Sequence, residues 1–408
     1  MNKYRYLIIG LAAVVLIVVV WLAWFSPAKT IKIGINAPLT GTLSSTGENT
    51  RRAAQLWASG INAKGGIKTG GKYHKVELVI MDNQTDPAGA VNVNEKLITE
   101  HKVLAIVGPQ ASSQAVPAGE VADRYATPMI SPWSTNPKTT KDRPFVFRAC
   151  FLDPFQGPVL ASFITEEFSY EAAAVLYARD NEYPRGLAKF FKDAWEKLHG
   201  KGSVVAYESF NTGDTDFSKQ LKTIIKSGAQ ILFLPQYYNE IGPIVKQARQ
   251  LGWTRPITGS DSWGASETIR QCGSDCYGFY FCDHFVARGA SGSAKQFVDM
   301  YRQAYGSLPD GGAALTWDCL ELIRTALGNM DYSGSPEKNR HRLRDALAKI
   351  EGFEGVTGEM NFNESGDPSK CAMIVKINEN GEYEFYKSVC PSYIYFLTSS
   401  DDTPGRHS

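Results

Sequence analysis

A hydroxyl-rich stretch between Val107 and Pro137 carries the residues of this sequence best placed to bind a small ligand. Ser112-Ser113 follow one short apolar run, and Ser134-Thr135 follow the next. The start of a helix offers free N–H groups and a positive dipole end, and hydroxyl groups add further donors. This combination suits a carboxylate. The alternative is that Ser112 and Ser131 are ordinary helix caps and turn residues.

The glycine-rich segment from Gly66 to Tyr73 nearly matches a phosphate-binding loop but departs from it in two ways. Tyr73 stands where a Ser or Thr would hold magnesium, and the glycines precede a predicted strand instead of following one. We therefore interpret the segment as a connection between a helix and a strand.

Patterns typical of catalysis or metal binding do not occur in the sequence. The six histidines are scattered without metal-ligand spacing, and neither a CxxC nor a GxSxG motif is found. A catalytic triad assembled only by the fold stays open as an alternative. We nevertheless expect no enzyme, no metal site and no cofactor.

Composition places the chain among ordinary globular proteins. Its 408 residues suggest two domains, and 43% of them are hydrophobic. The 43 Lys and Arg residues nearly balance 42 Asp and Glu residues, which leaves a net charge of +1. This balance gives no electrostatic reason to expect nucleic acid as a partner.

The N-terminus carries an export signal in one of two forms. Lys3 and Arg5 precede an uncharged apolar run from Leu7 to Phe25, and the small residues Ser26 and Ala28 follow it. The run is about as long as the ~20 residues that span a bilayer and exceeds the usual ~7–15 residues of a signal core. Residues 1–29 are thus either a cleaved signal peptide or a retained membrane anchor. Both forms leave the rest of the chain outside the cytoplasm.

The seven cysteines are compatible with an oxidising compartment. Cys272 and Cys276 are close enough in sequence for a small disulfide loop, and Cys371 and Cys390 could pair across a hairpin. The remaining three are interpreted as small buried apolar residues: Cys150, Cys282 and Cys319.

Short apolar runs alternate with helical patterns from residue 31 to 148, and the same rhythm restarts near residue 172. This alternation predicts two α/β lobes with mostly parallel sheets. Three further helices are predicted between residues 293 and 350, followed by hairpins from Val356 to Tyr386. Doubly wound sheets bind ligands beyond the carboxyl ends of their strands, so two facing lobes predict a cleft between them.

Short motifs follow one another in a fixed order across residues 30–390. They are Ile33–Ile35, Pro38–Gly41, Asn62–Gly66, Asp82–Pro87, Gly108-Pro109 with Ser112, Ile130–Pro132 with Thr135–Pro137, Asp153 with Gln156-Gly157, Gly186–Ala188 and Asp216-Phe217. This order resembles the leucine/isoleucine/valine-binding protein family of ABC-transporter solute receptors. The resemblance implies a type I periplasmic binding protein fold, two Rossmann-like lobes joined by a three-crossing hinge. It also implies a cleft that grips a carboxylate and an ammonium group.

The resemblance assigns the first lobe's part of the ligand site by position. Ser112 and Thr135 would bind the carboxylate, with the backbone at Trp133 beside them. Thr46 falls where the family often has an aromatic residue, and Trp133 replaces a small residue. We therefore expect an altered side-chain pocket.

In the second lobe, Tyr183 and Tyr237 fall at aromatic contact positions of the family. Asp261 falls where a carboxylate receives the ammonium, with Asp in place of the more familiar Glu. The alternative for Asp261 is an N-cap of a helix from Trp263 to Arg270.

We expect residues 30–150 with 284–350 to form lobe 1, residues 151–283 with 351–395 to form lobe 2, and residues 396–408 to form a flexible tail. The expected function is capture of a branched-chain or similar small amino acid for an ABC permease and its ATPase. A membrane-anchored ligand-sensing ectodomain is the alternative. The membrane itself would be a partner only if the N-terminal helix stays uncleaved.

Overall fold

The structure is a computed structural model that describes residues 30–392. The predicted signal or anchor at 1–29 and the predicted tail at 396–408 lie outside the described residues. Within the described range, no helix is long and apolar enough to cross a membrane.

The first part of the chain builds a five-stranded parallel sheet. In chain order its elements are β1 (Ile31–Ala37), α1 (Ser44–Ala63), β2 (Ile67–Thr69), β3 (Lys72–His74), β4 (Val76–Asp82), α2 (Pro87–Thr99), β5 (Ala105–Val107), α3 (Ser112–Arg124), β6 (Met129–Ser131) and β7 (Val146–Arg148). The sheet order is β4-β1-β5-β6-β7. Ile33 of β1 therefore lies between Leu78 and Ala105, and it is fully buried, as expected for a strand covered by helices on both faces.

The second part of the chain repeats the pattern. Its elements are α4 (Asp153–Phe168), β8 (Ala173–Ala178), α5 (Glu182–His199), β9 (Val204–Phe210), α6 (Ser218–Lys226), β10 (Ile231–Leu234), α7 (Tyr238–Gln250), β11 (Ile257–Gly259), α8 (Ser266–Cys272) and β12 (Tyr280–Asp283). The five strands lie side by side in the order β12-β11-β10-β8-β9 and are parallel.

The last part of the chain is divided between the two lobes. It contains α9 (Gly292–Tyr305), α10 (Gly311–Gly328), α11 (Pro336–Leu347), β13 (Phe353–Gly355), β14 (Gly358–Phe362), β15 (Pro368–Ser369), β16 (Ala372–Ile377) and β17 (Tyr383–Val389). Leu315 of α10 and Leu343 of α11 share a core with the first sheet, while β16 and β17 extend the second sheet in antiparallel fashion. The chain thus passes between the lobes after β7, after β12 and before β16, and the predicted two-lobed fold is confirmed.

Residues 353–369 contact the first lobe. Met360 is buried in the core of the first sheet, and the rings of Phe362 and Phe147 meet edge to face at 6.0 Å. Arg148 Nε also donates a 2.5 Å hydrogen bond to Asp367 Oδ1 in a buried ion pair. The lobe boundaries stay a prediction, but these contacts favour assigning 353–369 to the first lobe and only β16 and β17 to the second.

Two local expectations differ from the structure. The amphipathic pattern of the sequence predicts the first helix over residues 49–63, but α1 begins at Ser44. The segment from Gly66 to Tyr73 lies between a helix and a strand as predicted, yet it also forms a hairpin of β2 and β3. Its turn is Gly70-Gly71, both at positive φ, which glycine adopts without steric cost.

Both predicted disulfides, Cys272–Cys276 and Cys371–Cys390, are present. The other three cysteines are free and buried, as interpreted from the sequence.

Candidate functional site

The seven predicted site residues all follow the carboxyl ends of parallel strands. In the first lobe, Thr46 follows β1, Ser112 follows β5, and Trp133 and Thr135 follow β6. In the second lobe the corresponding residues are Tyr183 after β8, Tyr237 after β10 and Asp261 after β11. The order of strands reverses between β1 and β5 and again between β8 and β10. Such reversal points are where open α/β sheets bind ligands.

The two lobes close over a narrow cavity. Its lining residues, drawn from both lobes, are Thr46, Trp133, Asp261, Gly264, Ala265, Asp283, Asp310, Gly311 and Gly312. Three of the seven predicted residues therefore line the cavity directly. The other four are buried beside it.

Three aromatic side chains form a continuous wall across the lobe boundary. The ring of Tyr237 lies 6.5 Å from that of Trp133 and 4.9 Å from that of Tyr183. All three are at least nine-tenths buried. Trp133 extends this wall from the first lobe into the cavity, at a position where the resemblance implies a small residue.

Asp261 has a buried carboxylate held by neutral groups. Tyr183 Oη donates to Asp261 Oδ1 at 2.6 Å, and His284 Nε2 lies 3.4 Å from Oδ2. Burial lowers the pKa of His284 to about 4, so this imidazole is neutral near neutral pH. The backbone N–H of Asp261 donates to Gln156 Oε1 at 2.8 Å.

The capping alternative for Asp261 is not what the structure contains. A short 3₁₀ turn, Asp261–Gly264, has Ser260 as its N-cap, and α8 has Ala265 as its N-cap. Neither helix start receives a side-chain hydrogen bond at its cap. The Asp261 carboxylate is directed instead toward Tyr183 and His284.

Ser112 and Thr135 occupy the neighbouring hydroxyl-rich turns. Ser112 Oγ lies 3.0 Å from Ser134 Oγ, which in turn lies 2.6 Å from Thr139 Oγ1. Ser112 is the first residue of α3, whose N-cap is Ala111, and thus lies among the free N–H groups of a helix start. Thr135 lies beside Asp153. The backbone N–H of Asp153 donates to the carbonyl oxygen of Thr135 at 2.9 Å.

Asp153 is fully buried, and burial together with the charge of Asp261 raises its pKa to about 8. The hydroxyl of Thr135 and the charge of Arg148 act in the opposite direction but are outweighed. Asp153 is therefore protonated near neutral pH and does not repel an anion bound nearby.

The sequence reasoning did not single out Asp283 and Asp310, which also line the cavity. Burial first, and then the charges of Asp261 and Asp310, raise the pKa of Asp283 well above its usual range. Burial raises the pKa of Asp310 to about 6, although its side chain caps α10 and accepts a hydrogen bond from Ala313 N at 2.8 Å. Asp310 precedes two glycines at a predicted helix start, a cap signal that could have been used. Asp283 follows β12 as Asp261 follows β11, so strand ends alone could have suggested it.

Within residues 30–392, no group of three or more His, Cys, Asp or Glu side chains is arranged to hold a metal ion.

Comparison with known proteins agrees with this architecture. Residues 30–382 match a family described as periplasmic binding protein. An amino acid binding protein of Pseudomonas aeruginosa is 33% identical, covering 86% of this chain and 91% of the relative. A leucine-, isoleucine-, valine-, threonine- and alanine-binding protein of the same organism is 30% identical, covering 83% and 87%.

Among solved structures, the branched-chain amino acid transporter substrate-binding protein LivJ of Streptococcus pneumoniae, in complex with isoleucine, is similar with a TM-score of 0.80. It is 34% identical, with 89% of this chain and all of that chain covered. The matched family, the two lobes and the site at their strand ends agree: this chain belongs to the periplasmic binding protein family, with the type I fold of the Leu/Ile/Val-binding proteins.

Proposed function

We propose that this chain captures an amino acid between its two lobes and passes it to an ABC importer. The observation that carries the proposal is the Asp261 carboxylate, which lies in the closed cleft against Tyr183 and His284. Among the described residues it forms no ion pair with Lys or Arg. A buried carboxylate without a counter-charge is costly, and a ligand ammonium group would supply that charge.

The other predicted residues take complementary roles in this proposal. Ser112 and Thr135 bind the ligand carboxylate through hydroxyl and backbone donors at the start of α3 and in the turn after β6. Trp133, Tyr183 and Tyr237 enclose the bound molecule, and Thr46 completes the wall on the side of α1. The ligand would thereby bridge both lobes and hold them closed.

No catalytic step is part of this function. The partners of the chain would be a membrane permease and the ATPase that drives it, and the chain would lie outside the cytoplasm. Two disulfides support this location, because such bonds persist in oxidising compartments. The names of the relatives, which refer to amino acid binding, support the ligand class.

A thermal-shift screen of the full-length chain in mild detergent tests the proposal. Amino acids should raise the melting temperature, while the matching amines without a carboxylate and acids without an amine should not. A ligand at a hundredfold excess over its dissociation constant should add about 2.7 kcal/mol to the free energy of unfolding.

Asp261→Asn should weaken amino acid binding by more than about a hundredfold, because removing one partner of a buried ion pair costs about 3–5 kcal/mol. The control Asp299→Asn alters an exposed ion pair with Lys295 on α9 and should bind normally. No stabilisation by any amino acid, or unchanged affinity in Asp261→Asn, would contradict the proposal.

A further inference from the structure

The cavity wall carries more carboxyl groups than one ammonium group requires. Besides Asp261, the side chains of Asp283 and Asp310 line it, and no Lys or Arg is among its lining residues. Burial raises the pKa of both acids, because their ionised form is poorly solvated there. A cationic ligand group beside them would favour the ionised form, whereas an apolar side chain would not.

Asp283 occupies a space that two glycines of the cavity wall leave open. A methyl group added at Gly264, in the second lobe, would lie 1.9 Å from Asp283 Oδ2. One added at Gly311, in the first lobe, would lie 2.8 Å from Asp283 Oδ1. The carboxylate is thus held at the seam between the lobes, where a bound ligand meets both.

No cationic side chain of the described chain pairs with Asp283. Its carboxylate accepts a 2.6 Å hydrogen bond from the backbone N–H of His284, and its side chain is only 3% exposed. The buried ammonium of Lys370 donates instead to Ala149 O at 3.2 Å and to Thr357 Oγ1 at 2.6 Å.

Trp133 independently indicates a cationic ligand group. It lines the cavity together with the three carboxylates and is the first member of the aromatic wall. The face of an indole ring attracts cations, most strongly where water is excluded. Carboxylates and an aromatic face together form the usual environment of a bound organic cation.

We infer that the ligand is an amino acid whose side chain carries a second cationic nitrogen, with Asp261 binding the α-ammonium and Asp283 binding the side-chain cation. This inference rests on the proposed function, since it names the ligand class of the same cleft. Asp310, at the start of α10, adds negative electrostatic potential to the cavity. Asn49 Nδ2 donates to its Oδ2 at 2.7 Å. Trp133 covers the cation.

Calorimetry on the full-length chain with L-ornithine and L-norleucine tests the inference. The two amino acids share one heavy-atom skeleton and differ in the terminal nitrogen or carbon. Wild-type protein should bind ornithine at least about 10-fold more tightly, the effect of one close buried charge pair. Asp283→Asn should abolish most of this preference, while the affinity for norleucine stays equal or rises.

The control is Asp318→Asn, a buried carboxylate outside the cavity that accepts from Val356 N and Thr357 N. It should lower stability and leave the ornithine-to-norleucine ratio unchanged. Tighter binding of norleucine or leucine than of ornithine by the wild type would overturn the inference and leave the proposed function standing. That comparison needs no variant to fold. If no amino acid binds in the thermal-shift screen, the proposed function itself fails.

Discussion

Asp153 is a buried acid whose protonation state depends on its surroundings. It is the first residue of α4, directly after the first passage between the lobes. Its side chain is fully buried, and its pKa of about 8 arises mainly from that burial. At neutral pH the folded protein therefore keeps a proton that the unfolded chain has lost.

This difference makes stability depend on pH. The folded-state pKa is raised, so the contribution of Asp153 to stability is greatest below its ordinary value, 3.8, and falls as pH rises toward about 8. Asp153→Asn removes this loss. We expect the free energy of unfolding of the variant, relative to wild type, to increase by about 2 kcal/mol or more across this window. Urea titrations at several pH values measure the change.

Asp299→Asn is the matched control, because it makes the same substitution at an exposed position. A constant difference for Asp153→Asn over the same range would mean that Asp153 is ionised in the folded protein.

The strand ends that carry the candidate site could be predicted from the sequence better than the surroundings of its residues. Asp261 and Ser112 could be named because each follows a recognisable strand end in a family motif. Asp283 is adjacent in space to Gly264 and Gly311 but distant from both in sequence. Its proximity depends on how the lobes meet, which no local pattern encodes.

At the scale of elements, β16 and β17 are fastened at their open end by a disulfide. Cys371 precedes β16 and Cys390 follows β17, and the hairpin between them forms one edge of the second sheet. Phe385 on β17 is 49% exposed, so the apolar packing of this edge strand is incomplete. The covalent link compensates by limiting the freedom of the unfolded hairpin.

We expect the double variant Cys371→Ser/Cys390→Ser to lose about 3 kcal/mol of unfolding free energy, as the chain-entropy account predicts for a loop of this order. The pair Cys272–Cys276 closes a much shorter loop, with a sequence separation of 4 against 19, and its removal should cost less. Denaturant titrations of both double variants measure the two values. The reverse order would show that native-state packing, and not loop closure, governs these bonds.

The first turn of α1 shows why an element boundary escaped the sequence pattern. Residues 44–48 have no helical spacing of apolar side chains, so the prediction started at Asn49. In the structure, Gly47 allows this turn to approach the backbone of Pro38, since a methyl group there would lie 2.0 Å from Pro38 O. A long-range contact thus sets the start of the helix, and it brings Thr46 to the cavity. The alternating strands and helices, in contrast, follow from local patterns and were predicted closely.

At the scale of the whole molecule, the closed arrangement is held by contacts outside the ligand site as well. Lys138 belongs to the first lobe, and its ammonium lies 3.0 Å from Glu182 Oε2 at the start of α5 in the second lobe. Asn136 Nδ2 donates to the backbone oxygen of Glu182 at 3.2 Å. These contacts exist only when the lobes are together, so they favour closure and oppose release of the ligand.

We expect Lys138→Ala to speed ligand dissociation by up to about fivefold, because an exposed ion pair contributes about 0.2–1 kcal/mol. The effect should appear in the off-rate, since the pair forms after the ligand is bound. It should nearly vanish at about 1 M salt, where the screening length is about 3 Å. Lys138, Glu182 and Lys189 line one surface groove. Lys189→Ala is the control, because Lys189 pairs with Asp193 on α5, within one lobe. Stopped-flow measurements of the ligand off-rate at low and high salt compare the two variants. If both variants change the off-rate equally, the charge of the groove acts as a whole and the Lys138–Glu182 pair does not hold the lobes together.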